Sequence, residues 1–297
     1  MLPDERVGTM SAIVVSVIWG LSFVAARVVL TTLTPVLLAT VRFVIASAIF
    51  TAVIIRERNR GTTLDSRDLV ELAFLGFLSI SIYFWLQYTG VQLAGAGISA
   101  LLVVGLIPIV TGISSSLILR ERFTLLKVVG TSLGLLGVSL ITVPGLFMET
   151  VDYRFYIGVA SLLGNTVCFA LYSTLSRRLM QRIEKPALVT AYITVFGTMA
   201  LIPMSLTSDW GLVLELVPKQ WASIFFLALG CSVCCYLLWN YALSKLETVK
   251  AAVWLYLEPI AAFIGEALLF GIIPSLTTLL GGVVILLGAF LTSHAGE

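Results

Sequence analysis

Two carboxylates, Glu258 and Glu266, stand in a stretch otherwise suited to lipid, Trp254–Leu291, and Pro259 directly follows the first of them. A charge at the centre of a membrane helix costs about 2.5–3.5 kcal/mol on insertion scales. Proline adds to the disturbance by removing a backbone donor. A carboxylate in such a place can take up and release a proton, bind the ammonium group of a solute, or pair with a polar neighbour at the break that the proline makes. All three readings stay open for Glu258. Glu266 lies about two turns further on, off that face and toward the outer helix end, and reads as structural.

The elements that must position these groups follow from composition and charge. The 297 residues are 59% hydrophobic and 11% charged, with a mean hydropathy of +1.06. Soluble domains carry about 25% charged residues, so the chain reads as an integral membrane protein. Apolar segments fall at about 8–30, 35–55, 69–90, 96–119, 124–143, 155–176, 187–207, 221–243, 249–271 and 274–293. Each approaches the ~20 residues that a spanning helix needs, and helices satisfy their own backbone in lipid. No period-2 alternation points to a barrel. The N-terminus is mixed in charge and no clear small-residue cleavage site follows, so the first helix is expected to be retained.

The basic residues alternate with the segments. Connections after the second, fourth, sixth and eighth segments hold Arg56, Arg58, Arg60, Arg67, Arg120, Arg122, Lys127, Arg177, Arg178, Arg182, Lys185, Lys245 and Lys250, whereas the other connections hold Arg154 and Lys219. The positive-inside rule puts the first set, and both termini, in the cytoplasm. Arg27 and Arg42 lie inside the first two segments. Each reads either as snorkelling or paired with a carbonyl, or as part of a transport path.

The chain also resembles itself. An offset of 151 residues sets Pro259 on Pro108, Ser275 on Thr124, Gly281 on Gly130, Gly288 on Gly137 and Pro186 on Pro35; an offset of 150 sets Phe169 on Trp19 and Arg177 on Arg27. Residues 1–148 and 149–297 are therefore expected to be two five-helix repeats. Five is odd, so the second repeat enters the membrane inverted, an arrangement found in many secondary transporters. Glu258 breaks the likeness, because its counterpart is Ile107.

Particular residues then carry a resemblance to a known family. The first segment reads VIWGLSFVAARVVL, the second opens TPVLLATVRFVIA, and the fourth runs GISALLVVGLIPIVTGISSSLILRERFT before a glycine-rich fifth. This resembles the EamA-type branch of the drug/metabolite transporter superfamily and, within it, is similar to bacterial aromatic amino-acid exporters. One departure is visible: Leu119-Arg120-Glu121-Arg122 matches the family's L-x-E-R turn, but the second copy reads Phe270-Gly271-Ile272-Ile273. The resemblance implies an all-α membrane protein of ten helices in two inverted repeats, in the bacterial inner membrane. It implies a central cavity lined by the first, third, fourth, sixth, eighth and ninth helices. On those helices the candidates for substrate binding are Trp19, Ser22, Tyr83, Gln87, Ser99, Asn165, Tyr172, Trp239, Asn240, Trp254 and Glu258. Aromatic faces hold cations or stack on rings, and Asn and Gln serve either end of a zwitterion. A phosphate site would call for more intramembrane Lys or Arg.

The expected function is export of amino acids, aromatic and other neutral ones, or of related small metabolites by alternating access. A coupling proton is an open alternative for the energy source. No P-loop is present and no cofactor is expected. Cys231-x-x-Cys234 has redox or metal spacing, but it lacks a second ligand pair, and the single histidine, His294, is far away. The cysteines, Cys168 and Cys235 included, read as packing residues and no metal is expected. Membrane lipid and a small solute are the expected partners, and nucleic acid is not. A carrier of another solute class, such as a cationic drug, a nucleobase or a sugar-linked metabolite, is the first rival. A membrane-embedded enzyme and a non-transporting receptor are the others. Gly130, Gly134 and Gly137, with Gly281, Gly282 and Gly288, are expected to join helices within the molecule by close packing.

Overall fold

Besides the first helix, which starts at Pro3, proline opens three more, because its fixed φ suits the first turn and its missing N–H is not needed there. In the computed structural model, which describes residues 3–94, 103–122, 124–142, 153–261, 264 and 276–293, α2 starts at Pro35, α7 at Pro186 and α8 at Pro218. All regular structure among the described residues is helical. In chain order the helices are α1 (Pro3–Val29), α2 (Pro35–Asn59) and α3 (Ser66–Gly76, continuing through Phe77–Ile82 into Tyr83–Ala94). Then come α4 (Gly105–Ile118), α5 (Leu125–Thr142), α6 (Tyr153–Ile183) and α7 (Pro186–Ser205). A short 3₁₀ turn, Trp210–Glu215, leads to α8 (Pro218–Lys245), α9 (Thr248–Ala252, passing into a 3₁₀ stretch Val253–Leu257) and α10 (Leu276–Ser293).

Side chains and glycine close the helix ends. Asp65 accepts from Asp68 N at 2.7 Å ahead of α3. Gly61, at φ +82°, ends α2, with Gly61 N and Thr62 N returning to Arg58 O and Glu57 O. That is the Schellman closure, in which a left-handed residue satisfies the last carbonyls. Arg120 takes the same left-handed region without being glycine, at φ 58°. It turns the chain sharply after α4, and Glu121 N reaches back to Ser115 O at 3.4 Å.

Six helices are long and apolar enough to cross a membrane: Asp4–Ala26, Pro35–Asn59, Ser66–Leu93, Tyr153–Ile183, Pro186–Ser205 and Pro218–Lys245. Shorter apolar helices cover Gly105–Ile118, Leu125–Gly137 and Leu280–Thr292. The outer surface is apolar, with Leu117, Leu125, Leu136, Leu280 and Phe290 all exposed. Such a surface suits acyl chains and not water, and the chain is a multi-pass membrane protein. The expected Gly271–Pro274 boundary lies outside the described residues.

Two helices carry a π segment in their interior. π geometry occupies Phe77–Ile82 in α3 and Phe226–Cys234 in α8. A π turn inserts an extra residue and leaves carbonyls short of partners. Side chains from neighbouring helices donate to carbonyls in or beside these segments: Trp19 Nε1 to Cys231 O at 3.0 Å, and Asn165 Nδ2 to Tyr83 O, the residue after the first segment, at 2.9 Å. Cys231 and Cys235 pack in the core, while Cys234 faces outward.

Packing brings α5 onto α10, α2 onto α7, α3 onto α6 and α7, α1 onto α8 and α9, and α4 onto α6 and α9. The expected small-residue contact is an internal one between α5 and α10. A Cβ on Gly130 would lie 2.7 Å from Gly288 O and 2.1 Å from Thr292 Oγ1; one on Gly137 would lie 2.7 Å from Gly281 O. Backbones this close admit no side chain. Gly130→Leu should therefore destabilise the detergent-purified protein by about 1–3 kcal/mol or more, as overpacking does. Gly282→Ala, whose Cβ would meet nothing nearer than 3.6 Å, should leave the unfolding midpoint unchanged. Equal midpoints for the two variants would contradict this packing.

Candidate functional site

The aromatic side chains of four helices converge on one point. Trp19 of α1 meets Phe169 of α6 and Tyr236 and Trp239 of α8 with ring centroids 5.9, 5.7 and 5.7 Å apart. Tyr83 of α3 joins through Phe169 at 5.8 Å. These are edge-on or tilted contacts, the geometry aromatic pairs favour. Beside this cluster is a cavity of about 550 Å³, the size of small-molecule sites in general.

Five of the eleven residues expected to bind substrate reach the cavity wall: Trp19, Ser22, Tyr83, Gln87 and Glu258. Ser22 Oγ is already committed to Trp19 O at 2.6 Å. Gln87 Oε1 is buried with no hydrogen-bond partner among the described residues. Glu258 is 7% exposed, and among the described residues nothing pairs with its carboxylate. It follows directly on the 3₁₀ stretch Val253–Leu257, so the backbone break expected at Pro259 lies ahead of the glutamate. At Gly20 a Cβ would stand 2.4 Å from Glu258 O and 2.7 Å from Ala261 Cβ. Only glycine lets α1 lie this close to α9, and that contact fixes Glu258 against the cavity.

Five others stand behind the wall. Asn165 serves the π segment of α3, as above. Tyr172 donates to Asn240 Oδ1 at 3.2 Å, and Asn240 Nδ2 donates to Thr190 Oγ1 at 2.7 Å. That relay ties α6, α8 and α7 together in the fully buried core. Trp239 is fully buried and backs Trp19 and Phe169. Trp254 packs on the smaller core of Val104, Val253, Tyr256, Ile285 and Ala289. Ser99 and Glu266 lie outside the described residues.

The wall also holds Arg42, Phe84, Tyr88 and Tyr236. Arg42 is 4% exposed, so it does not snorkel. Its Nε donates to Ser232 Oγ at 2.7 Å, and its guanidinium carbon lies 5.1 and 5.0 Å from the ring centroids of Phe43 and Phe84. A signal for this was present locally. The positions three and four residues away on α2 are Leu38, Ala39, Ile45 and Ala46, so no acid on its own helix can pair with Arg42.

The cavity extends along α1 to Leu30 and Thr31. There Gln220 of α8 donates to Thr31 Oγ1 and Thr32 Oγ1 at 3.2 and 2.8 Å. The opposite end of the bundle is tied by charge. Glu121 accepts from Thr248 N and Oγ1 at 3.0 and 3.1 Å, at the first turn of α9. Arg177 Nε stands 3.0 Å from Glu121 Oε1, and its Nη1 donates to Leu243 O at 3.2 Å. Lys127 pairs with Glu247 and donates to Arg122 O at 2.8 Å. Lys245 reaches Asp4 at 2.7 Å. The L-x-E-R turn thus clasps α6, α8 and α9, with its glutamate at a helix N-terminus, where the dipole favours it.

The profile of the EamA-like transporter family matches residues 6–143 and again residues 156–294. The chain belongs to the EamA-like transporter family. An uncharacterized transporter of Archaeoglobus fulgidus is 30% identical over 279 residues, covering 92% of this chain and 94% of that protein. A protein of Streptantibioticus cattleyicolor named "Probable terminal-alkyne amino-acid exporter" is 26% identical over 229 residues, 77% of this chain and 74% of its own length. A crystal structure shares the fold with a TM-score of 0.80 over 96% of both chains, at 19% identity. Membership of a transporter family implies a small-molecule substrate.

The ion pairs at the closed end differ in weight. Glu121 and Arg177 are 10% and 15% exposed, whereas Arg182, paired with Asp68 and Glu71, is 38% exposed. Removing one partner of a buried pair costs about 3–5 kcal/mol; a surface pair contributes about 0–1 kcal/mol. Arg177→Ala should lower the thermal midpoint of the purified protein by several degrees and Arg182→Ala by little. The reverse order would refute this ranking.

Proposed function

We propose that this EamA-family protein is a secondary carrier that exports amino acids, aromatic and other neutral ones, across the bacterial inner membrane. The observation that carries the reading is the cavity itself: among the described residues, aromatic walls with one carboxylate and one cation, inside a bundle of membrane helices. Such a lining suits a small zwitterion with an apolar side chain. The amino-acid exporter named among its relatives points the same way.

Alternating access is supported by contacts between positions that the 151-residue offset equates. Ser47 and Thr198 are hydrogen-bonded at 2.7 Å, and Tyr256 OH donates to Gly105 O at 3.1 Å; each pair is 151 residues apart. Trp19 and Phe169, equated at 150, touch ring to ring. Equivalent residues can meet one another only near a two-fold axis, and two inverted repeats of residues 1–148 and 149–297 would generate one. Ten spans, with both termini cytoplasmic as the basic connections ask, complete the proposal. In that orientation the Thr31 end of the cavity faces outward and the Glu121 clasp lies at the cytoplasmic end. Inward opening then requires the clasp to part.

Vesicles reconstituted with pure protein test the function. Labelled L-phenylalanine or L-leucine should exchange against the same unlabelled amino acid, and protein-free vesicles should show no exchange. Absence of exchange for both would refute amino acids as substrates. If Glu258 carries the coupling proton, Glu258→Gln should abolish the response to an imposed pH gradient. An unaltered response would remove Glu258 as the proton carrier.

A further inference from the structure

We infer that Arg42 is the anchor for a singly charged anionic group of the solute, a carboxylate, held at the α2–α3–α8 side of the cavity. The inference deepens the carrier reading and rests on it for the claim that the bound solute is also the one moved.

The argument begins with an uncompensated charge. Arg42 lies within α2, seven residues after Pro35, about 10 Å along the helix. It is 4% exposed. A guanidinium carries five N–H donors and no acceptor. Among the described residues, Nε donates to Ser232 Oγ at 2.7 Å, the Tyr88 hydroxyl is a further neutral partner, and no carboxylate forms an ion pair with the group. Phe43 and Phe84 offer ring faces near 5 Å, and Tyr88 stands beside it. Ring faces and neutral hydroxyls soften the burial of a cation without neutralising it. Intramembrane charges usually pair, or line the path of a solute.

A purely structural arginine does not account for this arrangement. Ser232 holds Nε, the one nitrogen on the stem side of the fork. The two terminal nitrogens meet the neutral Tyr88 hydroxyl and, among the described residues, no carboxylate, with Arg42 on the cavity wall. Their planar, parallel N–H groups match the two oxygens of a carboxylate. The orientation is fixed before any solute arrives, which reduces the entropic cost of binding.

Charge count narrows the class. Among the described cavity-wall residues Arg42 is the one cation and Glu258 the one anion. A phosphate carries about −1.5 to −2 charges near neutral pH and would meet a single positive group. A carboxylate balances it. The aromatic residues alongside, Phe84, Tyr88 and Tyr236, provide an apolar face for the rest of the solute. The residue equated with Arg42 at an offset of 151 is Ile193, fully buried, so the anchor belongs to one half of the chain alone.

Three probes share one ring and differ in charge: L-phenylalanine, 3-phenylpropionate and phenethylamine. Binding of each to the detergent-purified full-length protein is measured by calorimetry, and flux in reconstituted vesicles. Wild type should bind both carboxylates and should bind phenethylamine about 10- to 100-fold more weakly than L-phenylalanine, as loss of a charge-assisted bond implies. Arg42→Gln should weaken both carboxylates by a similar factor and leave phenethylamine unweakened. Arg42→Lys should recover part of the loss, retaining charge without the fork. If Arg42→Gln does not yield a monodisperse protein, the probe series on wild type decides. Failure of wild type to bind either carboxylate, equal binding of all three probes, or equal weakening of all three by Arg42→Gln would overturn the anchor. Carboxylate-selective binding without flux would keep the anchor and sink the carrier reading. Flux without carboxylate preference would do the opposite.

Discussion

Helices in lipid gain little by hiding apolar surface from one another, since acyl chains are as apolar as leucine. They hold together by close van der Waals contact and by interhelical hydrogen bonds. In this protein the closest contacts are made where glycine removes the side chain. Gly130 and Gly137 meet Gly288 and Gly281 on α5 and α10, Gly76 meets Gly197 on α3 and α7, and Gly20 meets the backbone of Glu258. Where the helices cannot come so near, large rings fill the space, and the cavity lies where the rings leave off. Its position follows from small residues on one set of helix faces and aromatic residues on another.

The same constraint explains the polar residues behind the cavity. Each carbonyl freed by a π turn must find a donor inside the protein, because none is available from lipid. Trp19 and Asn165 donate to carbonyls in the π segment of α8 and directly after that of α3. Trp19 has two tasks, since its ring also faces the cavity. Asn165 is absorbed by the first task alone. The Tyr172–Asn240–Thr190 relay likewise spends its polar groups on helix packing. Polarity at mid-membrane depth therefore marks interior faces in general, and the cavity is a subset of them.

This bears on what could be read from the sequence. Helix ends were legible wherever a local rule governs them: proline at the start of α2 and α7, a charge-rich connection at the end of α2, glycines on α5 and α10. Which interior residues line the cavity was less legible. An apolar helix buried on several sides has no strong polar face to show its orientation. The π segments Phe77–Ile82 and Phe226–Cys234 add a further shift, rotating the residues that follow relative to an α-helical reading. Tyr83 and Tyr236 come one and two residues after them, and both reach the wall, whereas Trp239 and Asn240 turn away from it. Arg42 was visible as an oddity, yet its environment is built from α3 and α8, far off in sequence.

The likeness of the two halves makes their differences informative. Positions equated at 151 residues include Ile107 and Glu258, both on the cavity wall, and Ile193 and Arg42. At each pair one half keeps a buried isoleucine and the other carries a charge. Duplication alone would leave both apolar or both charged, and packing alone would favour the isoleucine, since an unpaired buried charge costs several kcal/mol. Glu121, whose counterpart is Ile272, follows the same pattern, but its charge is met by Arg177 and by the first turn of α9. It repays its burial within the protein and serves to close one end. Arg42 and Glu258 are not repaid in that way by the residues around them. A charge held at such cost on a cavity wall is compensated when something of opposite charge enters, and that links the asymmetry of the chain to the solute it carries.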